Sequence, residues 1–209
     1  MIKKKDFDAE AAGWDEKPLR VKLTREVTEA IIRQVAPTSA MKAADFGCGT
    51  GLVCLRLQPL VASITGIDSS PGMLDILKTK IAEGGLTNVD TRLIDVEKGE
   101  PMTGEYDLIT SNMTLHHIRE PGALLRQFHM ALTSGGILAI ADLEPDGGLF
   151  HEDNTGVFHF GFERSEVRAM FAEAGFSDIC DSRATVVVKP ASDGTKRTFS
   201  VFLVSGRKR

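Results

Sequence analysis

The sequence predicts one α/β domain with a mostly parallel, doubly wound sheet that is covered by helices on both faces. Three observations predict this fold class. Short apolar or β-branched segments alternate with longer segments of helical periodicity, and a glycine-rich turn follows the first strand segment. The 209 residues are 42% apolar and 26% charged, which are ordinary values for a single globular domain.

The first predicted element is an amphipathic helix that starts near Pro18 and ends before Pro37, because apolar side chains recur there at helical spacing. After it, five short segments have the composition of strands. They cover residues 43–46, 64–67, 89–94, 106–110 and 137–143.

Two of the helices between these strands have clear end signals. One begins after the cap candidates Ser69 and Ser70, with Pro71 in its first turn, and stops at Gly84-Gly85. The other begins at Pro121 and stops in Ser134-Gly135-Gly136. Right-handed crossovers then give a Rossmann-like sheet, which binds ligands at the carboxyl ends of its strands.

The last third of the chain has a different pattern. A loop rich in Gly, His and Phe covers residues 146–161, and a helix is predicted over 167–174. Two strand segments, 185–189 and 198–204, then flank the turn residues Pro190-Ala191-Ser192-Asp193-Gly194. They predict a C-terminal antiparallel hairpin that closes the sheet.

Composition also excludes several classes of protein. No apolar run approaches the ~20 residues of a membrane span, and the basic N-terminus lacks the apolar segment of a signal peptide. The odd set Cys48, Cys54 and Cys180 predicts neither disulfides nor a metal site. With a net charge of -4, we expect a soluble cytoplasmic protein that acts on small molecules and not on nucleic acid. The oligomeric state stays open.

The glycine-rich turn is Asp45-Phe46-Gly47-Cys48-Gly49-Thr50-Gly51, and a helix is predicted to start behind it at Leu52. Glycines allow positive φ and let a ligand approach the backbone. The spacing differs from the Gly-x-Gly-x-x-Gly of dinucleotide binders, and the Lys-Ser/Thr pair of phosphate-binding NTPases is absent. The turn therefore predicts a nucleotide-like cofactor of another kind.

Two acidic residues strengthen this prediction. Asp68 ends the second strand about 20 residues after the glycines, where a carboxylate can bind ribose hydroxyls. Asp95 ends the third strand at the same sheet edge, where it can accept a hydrogen bond from an adenine amino group.

Four segments in this order resemble class I S-adenosylmethionine-dependent methyltransferases. They are DFGCGTG (45–51), GIDSSPGML (66–74), LIDV (93–96) and YDLITSN (106–112). Two more, LHHI (115–118) and LTSGGIL (132–138), are similar to the branch that contains ubiquinone and menaquinone biosynthesis methyltransferases. The resemblance covers residues 42–143 and implies S-adenosylmethionine as cofactor, with methyl transfer to an O, N or C atom of a small molecule.

The resemblance also implies a cofactor site. Asp45 and the glycine loop would surround the methionine part, Asp68 would bind ribose, and Asn112 would lie near the sulfonium. Met73 would pack on adenine, with Asp95 and Val96 at its edge. The full set is Asp45, Gly47, Cys48, Gly49, Gly51, Asp68, Ser69, Met73, Asp95, Val96 and Asn112. Taken singly, Asp45 as a helix cap and Met73 as a core residue remain alternatives.

No catalytic residue is assigned from the sequence. His116 and His117 are candidate general bases, but adjacent side chains point in different directions, so we expect at most one in the pocket and favour structural roles for both. His151 and His159 either line an acceptor pocket or pack over the sheet. Phe7 and Trp14 either form a lid or anchor the first helix.

The resemblance divides one domain, 1–209, into three parts. They are an N-terminal lid and helix (1–36), a cofactor-binding core (37–145) and an acceptor-side loop, helix and hairpin (146–209). Two other functions stay open, a non-catalytic S-adenosylmethionine-binding regulatory or assembly protein and a nicotinamide-dependent oxidoreductase. Ser111-Asn112-Met113-Thr114 disfavours an adenine N-methyltransferase, because no Asp-Pro-Pro-Tyr-type sequence is present.

Overall fold

A computed structural model describes residues 5–191 and 194–209 and contains one seven-stranded sheet. The strands are β1 (Lys42–Phe46), β2 (Ser63–Asp68), β3 (Val89–Leu93), β4 (Tyr106–Asn112), β5 (Leu132–Leu143), β6 (Phe176–Pro190) and β7 (Lys196–Lys208). Their order is β3-β2-β1-β4-β5-β7-β6, with antiparallel pairing only at β5-β7 and β7-β6. The predicted fold class, including the C-terminal hairpin, is confirmed.

Helices cover both faces of this sheet. They are α1 (Phe7–Glu10), α2 (Pro18–Val35), α3 (Cys54–Leu57), α4 (Pro71–Glu83), α5 (Pro121–Ala131) and α6 (Arg164–Glu173). Neighbouring strand residues belong to opposite cores: Ala43 packs with α2, α3 and α4, and Ala44 packs with α5 and α6. This alternation follows from the period of two in a strand, and it explains why these strands read as continuous apolar runs. None of the helices in the described ranges is long and apolar enough to cross a membrane.

Three elements differ from the sequence prediction. The helix after the glycine turn starts at Cys54 and not at Leu52, and it has only four residues, because Pro59 lacks the N–H that would continue it. Strand β5 begins at Leu132, whose backbone is already extended, so Ser134-Gly135-Gly136 lies inside the strand and not in a loop. The hairpin strands extend beyond the predicted segments, and Ser192 and Asp193 of the predicted turn lie outside the described residues.

The sheet topology places the predicted site residues together. Strand β1 lies between β2 and β4, where the chain order reverses, and ligands of doubly wound sheets bind at the carboxyl ends beside this point. Asp68 and Asn112 are the last residues of β2 and β4, and Asp45 is next to last in β1. Strand β3 ends two residues before Asp95, which instead caps a short 3-10 helix, Val96–Lys98.

Candidate functional site

A cavity of about 1020 Å³ opens at the carboxyl edge of the sheet. All residues of the predicted cofactor site except Gly51 line it. Gly51 instead lets the loop approach α4: it has φ +86°, and a Cβ there would lie 2.4 Å from Leu77 Cδ1. The structure therefore brings the predicted set together around one cavity and gives Gly51 a packing role.

The glycine turn lines the cavity, and its backbone has left-handed conformations at two positions. Gly47 and Gly49 have φ of +69° and +53°. The N–H groups of Gly47 and Cys48 both donate to the carbonyl of Ile67, at 2.8 and 3.1 Å, which ties the turn to β2. A Cβ on Gly47 would lie 2.1 Å from Thr114 Oγ1, so only glycine fits at this position.

Asp68 joins the glycine turn to the start of α4. Its Oδ2 accepts a hydrogen bond from the Gly49 N–H at 2.8 Å, and its Oδ1 accepts one from the Ser70 N–H at 2.9 Å. A carboxylate oxygen can accept further hydrogen bonds, so both oxygens can still bind hydroxyl groups of a ligand. One side chain thus shapes the turn and faces the cavity.

Two buried oxygen atoms in the cavity lining accept no hydrogen bond from the described residues. They are Oδ2 of Asp45, a residue that is only 2% exposed, and Oδ1 of Asn112. The other oxygen of Asp45 accepts from Thr110 Oγ1 at 2.9 Å. Buried polar atoms are nearly always paired, so two orphaned acceptors in one cavity indicate a ligand with N–H or O–H donors.

Burial raises the pKa of Asp45 to about 7. The hydrogen bond from Thr110 and a weaker interaction with the Cys54 backbone N–H oppose this shift, and the nearby carboxylate of Asp68 adds to it. A cationic donor that binds at Asp45 would favour its ionised form. The thiols of Cys48 and Cys54 are also buried, which raises their pKa well above the usual range and makes them unreactive.

Met73 and Asp95 each combine a structural role with a place in the cavity lining. Met73 is 1% exposed on the apolar face of α4, and its Sδ would lie 3.9 Å from a Cβ on Gly49. Asp95 accepts from the Glu97 N–H at 3.2 Å and forms an ion pair of 3.4 Å with Lys98.

The N-terminal segment covers the cavity and is fixed to α4. Asp8 Oδ1 accepts hydrogen bonds from Ser70 Oγ at 2.5 Å and from the Gly72 N–H at 2.8 Å. Phe7 and Trp14 line the cavity. These contacts place the segment at the cavity, and its role as a lid stays a prediction. The Asp8 contact was missed in the sequence, where a lone acidic residue 62 positions before Ser70 gives no signal.

The histidines after β4 lie in the cavity lining, with a buried acid behind them. His116 and His117 form a short 3-10 helix, Leu115–His117, and both face the cavity, which differs from the expectation of at most one. The tight turn places their ring centroids only 4.1 Å apart. His116 Nδ1 lies 2.7 Å from Oδ1 of the fully buried Asp142, an acid that sequence reasoning did not single out within its apolar strand.

The loop after β5 contains His151 and His159, and of these two it is His151 that lies beside His116 and His117. His151 Nε2 lies 3.2 Å from His116 Nε2, whereas the His159 ring bonds to the carbonyl of Ile118 and packs on Phe162. Burial, followed by the proximity of His116, lowers the pKa of both His117 and His151 to about 3. Such weak bases are poor proton acceptors near neutral pH.

The chain is similar in sequence to known methyltransferases. A family described as a methyltransferase domain matches residues 19–181. The chain is 29% identical over 192 residues to an uncharacterised methyltransferase of Schizosaccharomyces pombe, covering 81% of this chain and 68% of that one. It is 28% identical over 150 residues to a ubiquinone biosynthesis O-methyltransferase of Pseudomonas aeruginosa, covering 69% of this chain and 64% of the relative.

Among solved structures, an S-adenosylmethionine-dependent methyltransferase from Aquifex aeolicus superposes with a TM-score of 0.70 at 21% identity. The superposition covers 99% of this chain and all of the other, and at this identity it shows the fold alone. The family match covers most of the chain and includes the strands that carry the cavity. The chain therefore belongs to the methyltransferase-domain family, the S-adenosylmethionine-dependent methyltransferases.

Proposed function

We propose that this protein transfers a methyl group from S-adenosylmethionine to an O, N or C atom of a small molecule by in-line displacement, with both molecules bound in the cavity described above. The observation that carries the proposal is the pair of orphaned acceptors, Asp45 Oδ2 and Asn112 Oδ1, in a cavity that Asp68 also lines. These oxygens match the donors of an amino acid joined to a nucleoside.

The residues of the cavity fit each part of this cofactor. Asp45 and Asn112 would accept hydrogen bonds from the cationic amino group of its methionine part. Asp68 would accept from the ribose hydroxyls while it keeps its bonds to the loop. Met73 would pack against the adenine ring, and Asp95 would accept from the adenine amino group.

S-adenosylmethionine supplies a methyl group that its sulfonium already makes electrophilic. The protein then has to align the acceptor and exclude water, and a dedicated base is not compulsory. The acceptor atom gains the methyl group and loses its proton, and the sulfonium becomes a neutral thioether. Aromatic side chains from both flanking segments, Phe7, Trp14, Phe150 and Phe158, line the cavity and would exclude water.

The volume of the cavity favours a small acceptor. Sites for single drug-sized ligands measure about 300–1,000 Å³, and this cavity reaches about 1020 Å³, which leaves space beside a cofactor. The net charge of -4 does not favour a nucleic acid. In this proposal the three parts of one domain, 1–36, 37–145 and 146–209, serve as lid, cofactor site and acceptor side.

Calorimetric titration tests the cofactor assignment directly. We expect saturable binding of S-adenosylmethionine and of S-adenosylhomocysteine, and no binding of NADH under the same conditions. A folded protein that binds neither adenosyl compound would refute the proposal. A screen of small phenols, acids and amines, with release of S-adenosylhomocysteine as the readout, then separates an enzyme from a cofactor-binding regulatory protein, because only an enzyme gives turnover.

A prediction about pH follows from the raised pKa of Asp45. Because this pKa is about 7 in the free protein, binding of a cationic amino group requires loss of a proton at lower pH. We therefore expect the affinity for S-adenosylmethionine to fall by up to about tenfold per unit as pH decreases below about 7. The variant Asp45→Asn should bind more weakly at pH 8 and lack this dependence.

Titrations between pH 5.5 and 8.5 measure this effect. The control Asp75→Asn changes an exposed carboxyl on α4 and should keep the wild-type profile. Identical pH profiles for Asp45→Asn and the wild-type protein would remove Asp45 from the amino-group site.

A further inference from the structure

Three histidines and one acid form a group in the cavity wall that the cofactor proposal does not use. His116 and His117 come from the turn after β4, and His151 comes from the loop after β5. One nitrogen from each ring lies within 4.8 Å of the corresponding nitrogens of the other two. From this geometry we propose that the three imidazoles bind a divalent transition metal ion of the zinc type.

Hydrogen bonds at the back of two rings fix their orientation. His117 Nδ1 lies 2.8 Å from the carbonyl of Gly156. A carbonyl oxygen can only accept, so this nitrogen carries the proton, and the lone pair of the ring is on Nε2. His116 Nδ1 lies 2.7 Å from Asp142 Oδ1, which in the same way leaves Nε2 of His116 as the acceptor nitrogen. Neutral imidazoles in this form are metal ligands.

Asp142 provides the second contact that metal-binding histidines normally have. The carboxyl is completely buried, its Oδ1 accepts a hydrogen bond from the Leu143 N–H at 2.7 Å, and its Oδ2 accepts one from the His116 N–H at 3.4 Å. These backbone contacts hold Asp142 directly behind His116. A carboxylate that orients a histidine and raises its basicity is the usual outer partner of a zinc ligand.

The separation of two of the nitrogens fits a shared ion. Ligands at about 2.0–2.1 Å from a tetrahedral zinc ion lie about 3.3 Å from each other. The separation of His116 Nε2 and His151 Nε2 is 3.2 Å. A proton shared between these two nitrogens also explains this single distance, but it does not involve His117, which also offers a nitrogen within 4.8 Å of the other two.

The surroundings of the group favour a coordination site with an open position. All three rings line the cavity, so a fourth ligand can approach from its interior. Sites with three histidines and one open position bind zinc in enzymes, where the ion acts as a Lewis acid. No sequence pattern indicated this site, because His116 and His151 are 35 residues apart and no short ligand spacing links them.

The role of the ion rests on the proposed function, although its binding does not. An acceptor hydroxyl that coordinates the ion would release its proton to solvent. Its oxygen then forms the bond to the methyl group while the sulfur–methyl bond breaks and leaves its electron pair on sulfur. The acceptor would accordingly be a hydroxyl compound whose oxygen can bind a metal, such as a phenol or an enol.

Binding of Zn²⁺ to untagged, chelator-treated protein tests this inference without any methyl acceptor. We expect one Zn²⁺ per chain in competition with a chromophoric chelator, and visible absorption of a four-coordinate site with Co²⁺. His151→Ala should weaken Zn²⁺ binding at least tenfold, and Asp142→Asn should weaken it about 10- to 100-fold. The control His129→Ala removes a histidine on α5 outside the group and should bind as the wild type does.

Calorimetric binding of S-adenosylmethionine to the same samples separates this inference from the proposed function. Substoichiometric Zn²⁺ binding, or binding that His151→Ala and His117→Ala leave unchanged, would overturn the metal site, whatever the result with the cofactor. Site-dependent Zn²⁺ binding by a protein that binds no S-adenosylmethionine would support the metal site and refute the proposed function. Circular dichroism of each variant confirms that loss of Zn²⁺ does not come from unfolding.

Discussion

Gly47→Ala is expected to abolish most of the cofactor affinity and to lower the melting temperature. The residue has φ +69°, and a Cβ would lie 2.1 Å from Thr114 Oγ1. A left-handed conformation in a non-glycine residue costs about 1–2 kcal/mol, and overpacking costs about 1–3 kcal/mol more. The turn must shift to relieve the contact, so we expect affinity for S-adenosylmethionine to fall at least ~30-fold.

A matched control separates backbone strain from the contact with Thr114. Gly85 also has a positive φ, +58°, but no atom lies within 4 Å of the position of a Cβ. Gly85→Ala should therefore lower stability modestly and leave the cofactor affinity intact. Calorimetry and thermal denaturation of both variants measure the difference. Equal cofactor affinities in the two variants would show that the conformation at Gly47 is not required for binding.

Asp68→Ala is expected to give the next largest loss. The carboxylate accepts hydrogen bonds from Gly49 and Ser70, so its removal deletes the proposed ribose contacts and also releases the glycine turn from the start of α4. Lost hydrogen bonds to a charged group cost about 1–3 kcal/mol, which corresponds to roughly 5- to 150-fold in affinity for S-adenosylmethionine.

Two comparisons sharpen this experiment. Asp75→Ala removes an exposed carboxylate on α4 that pairs with Lys78 at 2.9 Å, and it should leave the affinity unchanged. Asp68→Asn keeps the shape of the side chain but loses its charge, and it should fall between the wild type and Asp68→Ala. Wild-type affinity in Asp68→Ala would place the ribose site elsewhere in the cavity.

Much of the fold could be predicted because local signals in this chain agree with its tertiary packing. Pro71 after the cap residue Ser70 marks the start of α4, and Glu83 before Gly84 marks its end, as observed. The errors lie where neighbouring elements compete. Pro59 cuts α3 to four residues. Leu132 already pairs with Tyr106 of β4, so β5 begins before Ser134-Gly135-Gly136, which lies in a register irregularity ahead of the regular pairing that starts at Ile137.

The part of the site that could be predicted follows the ends of strands. Asp45, Asp68 and Asn112 stand near the carboxyl ends of β1, β2 and β4, and parallel strands bring such ends to one edge. Asp8 and Asp142 could not be found in this way. Their partners, Ser70 and His116, are 62 and 26 residues away, and no periodicity in the sequence records such contacts.

The sequence by itself determined the order of the strands and helices, the glycine turn and the acidic residues at the ends of β1 and β2, because each depends on neighbours close in the chain. Tertiary structure alone decided what the histidines do. It placed His151 and Asp142 against opposite nitrogens of His116, and it buried Asp45 so that its pKa rises to about 7. Burial and contacts between distant segments arise only when the elements pack, and these properties set the chemistry of a side chain.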